Sequence, residues 1–475
     1  MGSSAAETGT TPMPALRRRA LLRAAALAPL APVVAGCGIF GRPPVRVAVS
    51  WSGGELAAFR KVLAGLGALR GFEPMAYDVQ PVPFGDDIST ALAARGAGRL
   101  DVVMLPVLGE LRRYRDILAP APIAPWPKDS KTYTSLWHDL LFEPAPGARS
   151  EAGPRVPYGV PFKLSNKSCV WYSRDLFEKH SLRPPDTWDD WLALNRTLVK
   201  RRITPLALGA ADGWALTDFF ENVLLGTSPD TYDWLTTEAD RQPLWSGETV
   251  RTALRRLAQL WGARDVLAGG VKGSLVRQFP DAVLEVFRYR RAAMAVAPDF
   301  AEPYARRFHH ADGARREHDI ATFPFPTIAE RRPAPLVAGG DVAVLTSPSR
   351  EDAKDLVRRL AHPLAPLPWI ESPGGFLAAN RETPVRSYTK QAEALASPMM
   401  PSPSTFRFDL SDQLGAVGGR DGMWRALRNF LVDIGGSAES AGSVESAADR
   451  FVAHMIAIEE RESEAGDDRG GTDAG

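Results

Sequence analysis

Cys37 closes the stretch Val34-Ala35-Gly36-Cys37, and a thiol set directly after small residues in this way is a candidate for acylation. Arg17, Arg18, Arg19 and Arg23 precede it, and Ala24 to Ala35 is apolar but broken by Pro29 and Pro32. A membrane-spanning helix needs about 20 apolar residues, so this segment reads as an export peptide cut before Cys37, which then carries lipid. Arg18-Arg19-x-Leu21-Leu22 suits a twin-arginine signal as well as an arginine-rich general one, and Met13 is an alternative start to Met1. With Cys37 acylated, Cys169 has no disulfide partner; in Ser168-Cys169-Val170-Trp171-Tyr172 it reads as a small hydrophobe on a buried strand.

The remaining sequence offers no catalytic pattern. It lacks Gly-x-Ser-x-Gly, His-Glu-x-x-His and Gly-x-x-x-x-Gly-Lys-[Ser/Thr]. Gly65-Leu66-Gly67-Ala68-Leu69-Arg70-Gly71 misses the dinucleotide pattern by one position and sits where helix-ending glycines are expected. Seven scattered histidines and one mature cysteine argue against a zinc site. A formal net charge of +1 with interspersed signs gives no electrostatic case for nucleic acid. The expectation is no cofactor, no metal and no enzyme, with a carboxylate-pair glycosidase as the enzymatic alternative.

The elements that must position any site alternate in type. Val45 to Val49 reads as a strand, and Leu56, Phe59, Val62, Leu63 and Leu66 recur at helical spacing. A strand near Met75 to Val79, a helix from about Asp87 to Arg95 and the strand Val102 to Leu105 follow. This order implies an α/β sheet, with ligands beyond the carboxyl ends of its strands, where Trp51 and Pro106 sit. Further on, Thr187-Trp188-Asp189-Asp190 has capping-box spacing. Pro205 to Leu208, Ala292 to Val296 and Val342 to Leu345 read as strands, and Thr217 to Leu225 as a helix. Trp171, Trp188 and Trp191 read as core. From about Glu464 the chain is acidic and glycine-rich without apolar periodicity, and is expected to be disordered.

Local matches in order along the mature chain resemble the carbohydrate-specific extracellular solute-binding proteins of ABC importers, the maltose-binding-protein type. They are Trp51-Ser52-Gly53-Gly54-Glu55; Tyr158-Gly159-Val160-Pro161 with Trp171 to Phe177; Pro185-x-Thr187-Trp188; and Pro205 to Gly209 with Asp212-Gly213-Trp214. Met294 to Phe300, Gly339-Gly340-Asp341 and Gly374-Gly375-Phe376 with Asn380-Arg381 continue the series. Phe408-Asp409-x-Ser411-Asp412 followed by Trp424 is similar to the subset that binds α-glucosides. Three positions depart from the pattern: Leu100-Asp101, Pro106-Val107-Leu108-Gly109 and Pro298. They leave the sugar open.

The resemblance implies an α/β, two-lobed periplasmic binding protein type II fold with a multi-strand hinge. Residues 1–36 are then an export peptide and 37–43 a lipidated linker. The lobes comprise 44–163 with 341–371, and 164–340 with 372–463, ahead of a disordered 464–475. Hinge crossings are expected near Lys163 to Asn166, near Gly339 and near Ser372. Sugar rings lay apolar C–H faces on aromatic rings, and their hydroxyls need directed polar partners. Trp214 with Asp212 and Asp218, Phe300 with Asp299, and Trp424 with Arg420 each offer that pairing. The resemblance adds Trp51, Ser52, Asp87, Asn166 and Asp341 as ligand contacts; Asp87 reads equally as a helix start, Asp341 as a hinge hydrogen-bonding residue, and Lys163 and Lys167 as solvated. The partners implied are a sugar, the transmembrane permease of an importer and the extracellular face of the cell membrane through the lipid, with the protein a monomer. The alternatives to a sugar binder are the glycosidase, or a binding protein for another solute or a sensor.

Overall fold

The computed structural model describes residues 42–94, 98–147, 153–237, 240–400, 406–435 and 441–470. Cys37 and the export peptide lie outside them. Among the described residues the strands are β1 (Val45–Val49), β2 (Val79–Pro83), β3 (Val102–Leu105), β4 (Leu118–Ala119), β5 (Phe142–Pro144), β6 (Arg155–Pro157) and β7 (Val160–Asn166). They continue as β8 (Cys169–Ser173), β9 (Leu206–Ala207), β10 (Met294–Val296), β11 (Ile320–Pro324), β12 (Val337–Thr346), β13 (Leu377–Ala378) and β14 (Arg407–Phe408).

Two sheets organise the molecule. The first runs β13-β7-β12-β3-β1-β2, with β14 and β4 also on β12; the second runs β11-β8-β10-β9. β1 is parallel to β2 and β3, while the long strand β12 is antiparallel to β3 and β7. Strands buried on both faces read as apolar runs, and β3 and β12 are buried throughout. Helices cover the faces: the helix Gly53–Gly65 turns Leu56, Phe59 and Val62 onto the first sheet, and Trp188–Lys200 turns Trp188, Trp191, Leu194 and Leu198 onto the second. Thr187 caps that second helix, its hydroxyl accepting the Asp190 N–H at 3.2 Å, as the spacing predicts. Trp171 is buried and its indole N–H donates to the Ala297 carbonyl at 2.9 Å. Cys169 is equally buried, and burial pushes its thiol well above the usual range, which leaves it a packing residue.

Among the described residues the chain passes between the sheets three times, each time off the expected place. β7 ends at Asn166 and β8 begins at Cys169, so the first passage is Lys167-Ser168. The second lies between Pro324 and Val337; Gly339 is already inside the first sheet, opposite Ser165. The third is displaced furthest from its expected position at Ser372. β13 pairs with β7, β14 pairs with β12, and Ala392, Ala396, Met399 and Phe406 pack into the first sheet's core, so the passage falls at Asp409. The expected strand near Met75 begins instead at Val79, the residue paired with Val45. The expected helix after Asp87 is a 3-10 turn, Gly85–Asp87, and a single turn, Thr90–Ala93. The last helix runs from Ala441 to Gly470, past the expected disorder boundary at Glu464.

Candidate functional site

β7 and β12 place Lys163 and Asp341 side by side at the junction of the sheets. Lys163 is buried, with its ammonium 2.9 Å from the Glu55 carboxylate. Three rings surround it: Phe300 at 4.8 Å, Trp369 at 5.2 Å and Trp51 at 6.0 Å from Nζ to centroid. A cation among aromatic faces is held by their quadrupoles. Burial alone would depress this lysine, but Glu55, Asp341 and Asp299 outweigh it and raise its pKa.

From Lys163 a line of rings leads into the second half of the molecule. Phe300 follows β10, and its ring lies 5.9 Å from that of Trp214, which follows β9. Phe279 contacts both, at 5.0 and 5.4 Å. Gly213, at φ 84°, brings the chain so close to Trp424 that a Cβ there would sit 2.7 Å from the Trp424 Cβ. Only glycine suits both the backbone angle and the contact. Beside Trp424 is a cavity of about 490 Å³, lined by Asp86, Asp212, Gly213, Arg420 and Arg428 among others. Asp86 belongs to the segment after β2 and the others to the second-sheet side, so the cavity lies between the two halves. Arg420 spans it, 3.7 Å from Asp86 and 3.5 Å from Asp87. Asp212 accepts the Phe279 N–H at 3.2 Å, and its pKa is raised by burial. The Pro106–Gly109 loop meets the other side, where a Cβ on Gly109 would strike the Gln413 carbonyl at 2.2 Å.

The expected contacts therefore divide. Arg420 and Trp424 line the cavity, Asp87 lies 3.5 Å from Arg420, and Trp214 and Phe300 form a ring pair that Gly213 joins to Trp424. Ser52 is exposed at the start of its helix and makes no capping bond. Trp51 is a correction: only 4% exposed, it packs on Phe59 at 4.9 Å and edge-on to Trp369 at 5.0 Å, which makes it core beneath Lys163. Asn166 is another. Its N–H donates to Asp299 Oδ1 at 2.7 Å, its amide donates to the Leu395 carbonyl at 3.0 Å, and its oxygen accepts the Ser168 N–H at 2.9 Å. Its polar groups are thus engaged at the first passage. Asp341 is buried at the same junction, its pKa raised to about 6 by burial.

Asp299 is also buried, and Oδ2 accepts no hydrogen bond among the described residues. Burial raises its pKa to about 7, against the opposing pull of Lys163 and the Asn166 N–H. The ordinary value is 3.8. Between those values the folded chain holds a proton that the unfolded chain has lost. The resulting contribution to stability is fully present below the lower value and lost as pH rises through about 7. Asp299→Asn keeps an oxygen for Asn166. The variant is expected to be more stable than wild type at pH 8, by a margin that shrinks toward pH 4. Urea unfolding at three pH values checks this; a margin that stays constant would contradict it.

The sequence reading missed the role of a second lysine. Lys167 lies at the first passage with its ammonium 3.3 Å from Asp218, 3.3 Å from Asp412 and in close contact with Asp409. Its N–H donates to the Val337 carbonyl at 2.9 Å, and the Val337 N–H donates to Ser168 Oγ at 2.7 Å, so all three passages meet here. Burial opposes the charge on Lys167, but Asp218, Asp409 and Asp412 carry its pKa well above the usual value. Asp409 accepts the Ser411 hydroxyl at 2.6 Å and the Asp412 N–H at 2.8 Å; burial works against its charge, but Lys167 and these donors keep it ionised. Burial pushes the Asp218 carboxyl far up. Although one of its oxygens is within ion-pair reach of Lys167, neither accepts a well-directed hydrogen bond among the described residues. Tyr232 Oη is 2.9 Å from the Phe408 carbonyl and 2.9 Å from Glu221 Oε2. With one hydroxyl proton, both can be hydrogen bonds only if Glu221 is protonated. Its burial and the charge of Asp409 favour that state.

The family model for bacterial extracellular solute-binding proteins matches residues 78–362. The osmoprotective compounds-binding protein GgtB of Synechocystis sp. is 25% identical over 364 residues, covering 73% of this chain and 80% of its own length. The alpha-glucosides-binding periplasmic protein AglE of Rhizobium meliloti is 25% identical over 373 residues, covering 74% and 75%. Among solved structures, the solute receptor AcbH superposes with a TM-score of 0.67 at 15% identity, covering 87% of this chain and 99% of its own. The GacH receptor of Streptomyces glaucescens gives 0.64 at 16%, covering 88% and 98%. At such identities the likeness is one of fold: two lobes around a crevice.

Proposed function

This chain belongs to the bacterial extracellular solute-binding proteins of ABC importers, and from that premise we propose that it captures a carbohydrate between its two lobes, unchanged, for delivery to a membrane permease. The observation that carries this reading is the interlobe cavity lined by Trp424, Asp86, Asp212 and Arg420, with Trp214, next along the chain from the lining residue Gly213, forming a ring pair with Phe300. Ring faces take the C–H surface of a sugar, and carboxylates and guanidinium take its hydroxyls through charge-assisted bonds. Micromolar binding amounts to about 8 kcal/mol, within reach of a few such contacts. Hinge closure around a ligand is the motion the handful of passages permits.

An α-glucosidic oligosaccharide is the ligand class we favour, on the Phe408 to Trp424 motif and the relation to AglE. A thermal-shift screen over sugars, polyols and amino acids tests it, because a ligand that binds only the folded state raises the melting temperature. Shifts with α-glucosides are expected; a shift confined to amino acids would overturn the reading. Among the described residues no helix is long and apolar enough to cross a membrane. We assign attachment to the outer face of the membrane to lipid on Cys37, with the protein acting as a monomer. Labelled lipid is expected on the wild-type protein and not on Cys37→Ala; label retained by the variant would contradict the anchor.

A further inference from the structure

Away from the crevice, the second sheet carries a cavity of about 510 Å³ whose lining includes His180, Arg202, Arg277, Glu285, Arg290 and Arg291. It opens beside the starts of β9 and β10: Arg202 precedes β9, and Arg290 and Arg291 precede β10. The crevice residues Asp212 to Trp214 and Asp299-Phe300 follow the same two strands. The two cavities therefore sit toward opposite ends of one pair of parallel strands.

Positive charge is in excess in this second cavity. Four arginines share one lining carboxylate, Glu285, which Arg291 grips at 2.7 and 3.1 Å. Arg290 is 3.3 Å from Asp319, behind the wall. Arg277 is the telling residue. Its side chain is only 11% exposed, yet its contacts are long: 3.4 Å to the Leu208 carbonyl and 3.5 Å to Glu285. A guanidinium has five N–H donors, so most of these remain for whatever fills the cavity. Gly269, at φ 71°, also lines the cavity, and a Cβ there would touch Arg277 Nη2 at 3.4 Å. Arg202 has no side-chain hydrogen bond or ion pair among the described residues. Arg202 and Arg290 adopt φ of 60° and 54°, a conformation uncommon for residues other than glycine and often found at functional positions.

We propose that this cavity binds a phosphate group, free or as a monoester. Planar guanidinium forks match phosphate oxygens in pairs. Several forks converging on one space suit a group with more than two acceptor oxygens better than a carboxylate.

The test is calorimetric titration of the full chain with inorganic phosphate and, in a second arm, glycerol phosphate, with chloride at matched ionic strength as control. Saturable binding by either phosphate compound is expected, with the tighter arm identifying the free anion or the ester. Arg277→Gln should weaken it at least tenfold and Arg202→Gln at least threefold, while carbohydrate titration into the same variants stays unchanged. Arg202→Gln removes no protein contact, so it decides the matter if Arg277→Gln fails to fold. No saturable binding to wild type, or equal affinity in Arg202→Gln, would overturn the site.

Discussion

Lys167→Met is expected to lower the stability of the folded chain by about 3–5 kcal/mol, the cost of removing one partner from a buried ion pair. Methionine fills similar space, but the variant leaves ionised Asp409 without its cation and Asp218 and Asp412 without theirs. Asp412 itself, its pKa raised to about 7 by burial and the charge of Asp409, would move further toward its neutral form. Some of the loss is recoverable. A Lys167→Met/Asp409→Asn double variant should be destabilised by less than the sum of the single changes, because the residues act as one unit. Denaturant unfolding measures all three proteins. A loss below about 1 kcal/mol in Lys167→Met, typical of an exposed pair, would show that the cluster does not tie the passages together.

Trp214→Ala is expected to weaken carbohydrate binding by about tenfold to a hundredfold, or ~1.4–2.8 kcal/mol. The residue is partly buried against Phe279 and Phe300 and stands at the start of the helix Trp214–Thr227, so its ring is held before any ligand arrives. Such pre-positioned aromatic anchors carry a large share of binding energy. The helix itself is packed along almost its whole length, which protects the fold from the substitution. Unchanged affinity in a folded variant would remove Trp214 from the site and shift the binding surface toward Trp424 and Arg420.

The sequence pattern reveals the strands with continuous apolar runs and the helix with a capping threonine, because each is a local signal. β13 and β14 are two residues each, too short to carry a period, and with them the third passage moved from Ser372 to Asp409. The site was legible in part for the same reason. Asp212-Gly213-Trp214 and Asp299-Phe300 announce themselves as aromatic and acidic neighbours. That Trp424 rests on Gly213, more than two hundred residues away, has no local trace. Trp51 stands at a strand end, as a ligand contact would, but Phe59 and Trp369 enclose it from other elements. Lys163 and Lys167 read equally as solvated because their carboxylates come from distant segments: Glu55 for the first, and Asp218, Asp409 and Asp412 for the second.

Titration of the wild-type protein with α-glucosidic di- and trisaccharides, followed by chemical analysis of the recovered sugar, is the most direct test of carbohydrate capture in the crevice. Saturable heat with one sugar per chain, returned intact, is the predicted result. Absence of binding across the sugar panel, or recovery of cleaved sugar, would contradict it.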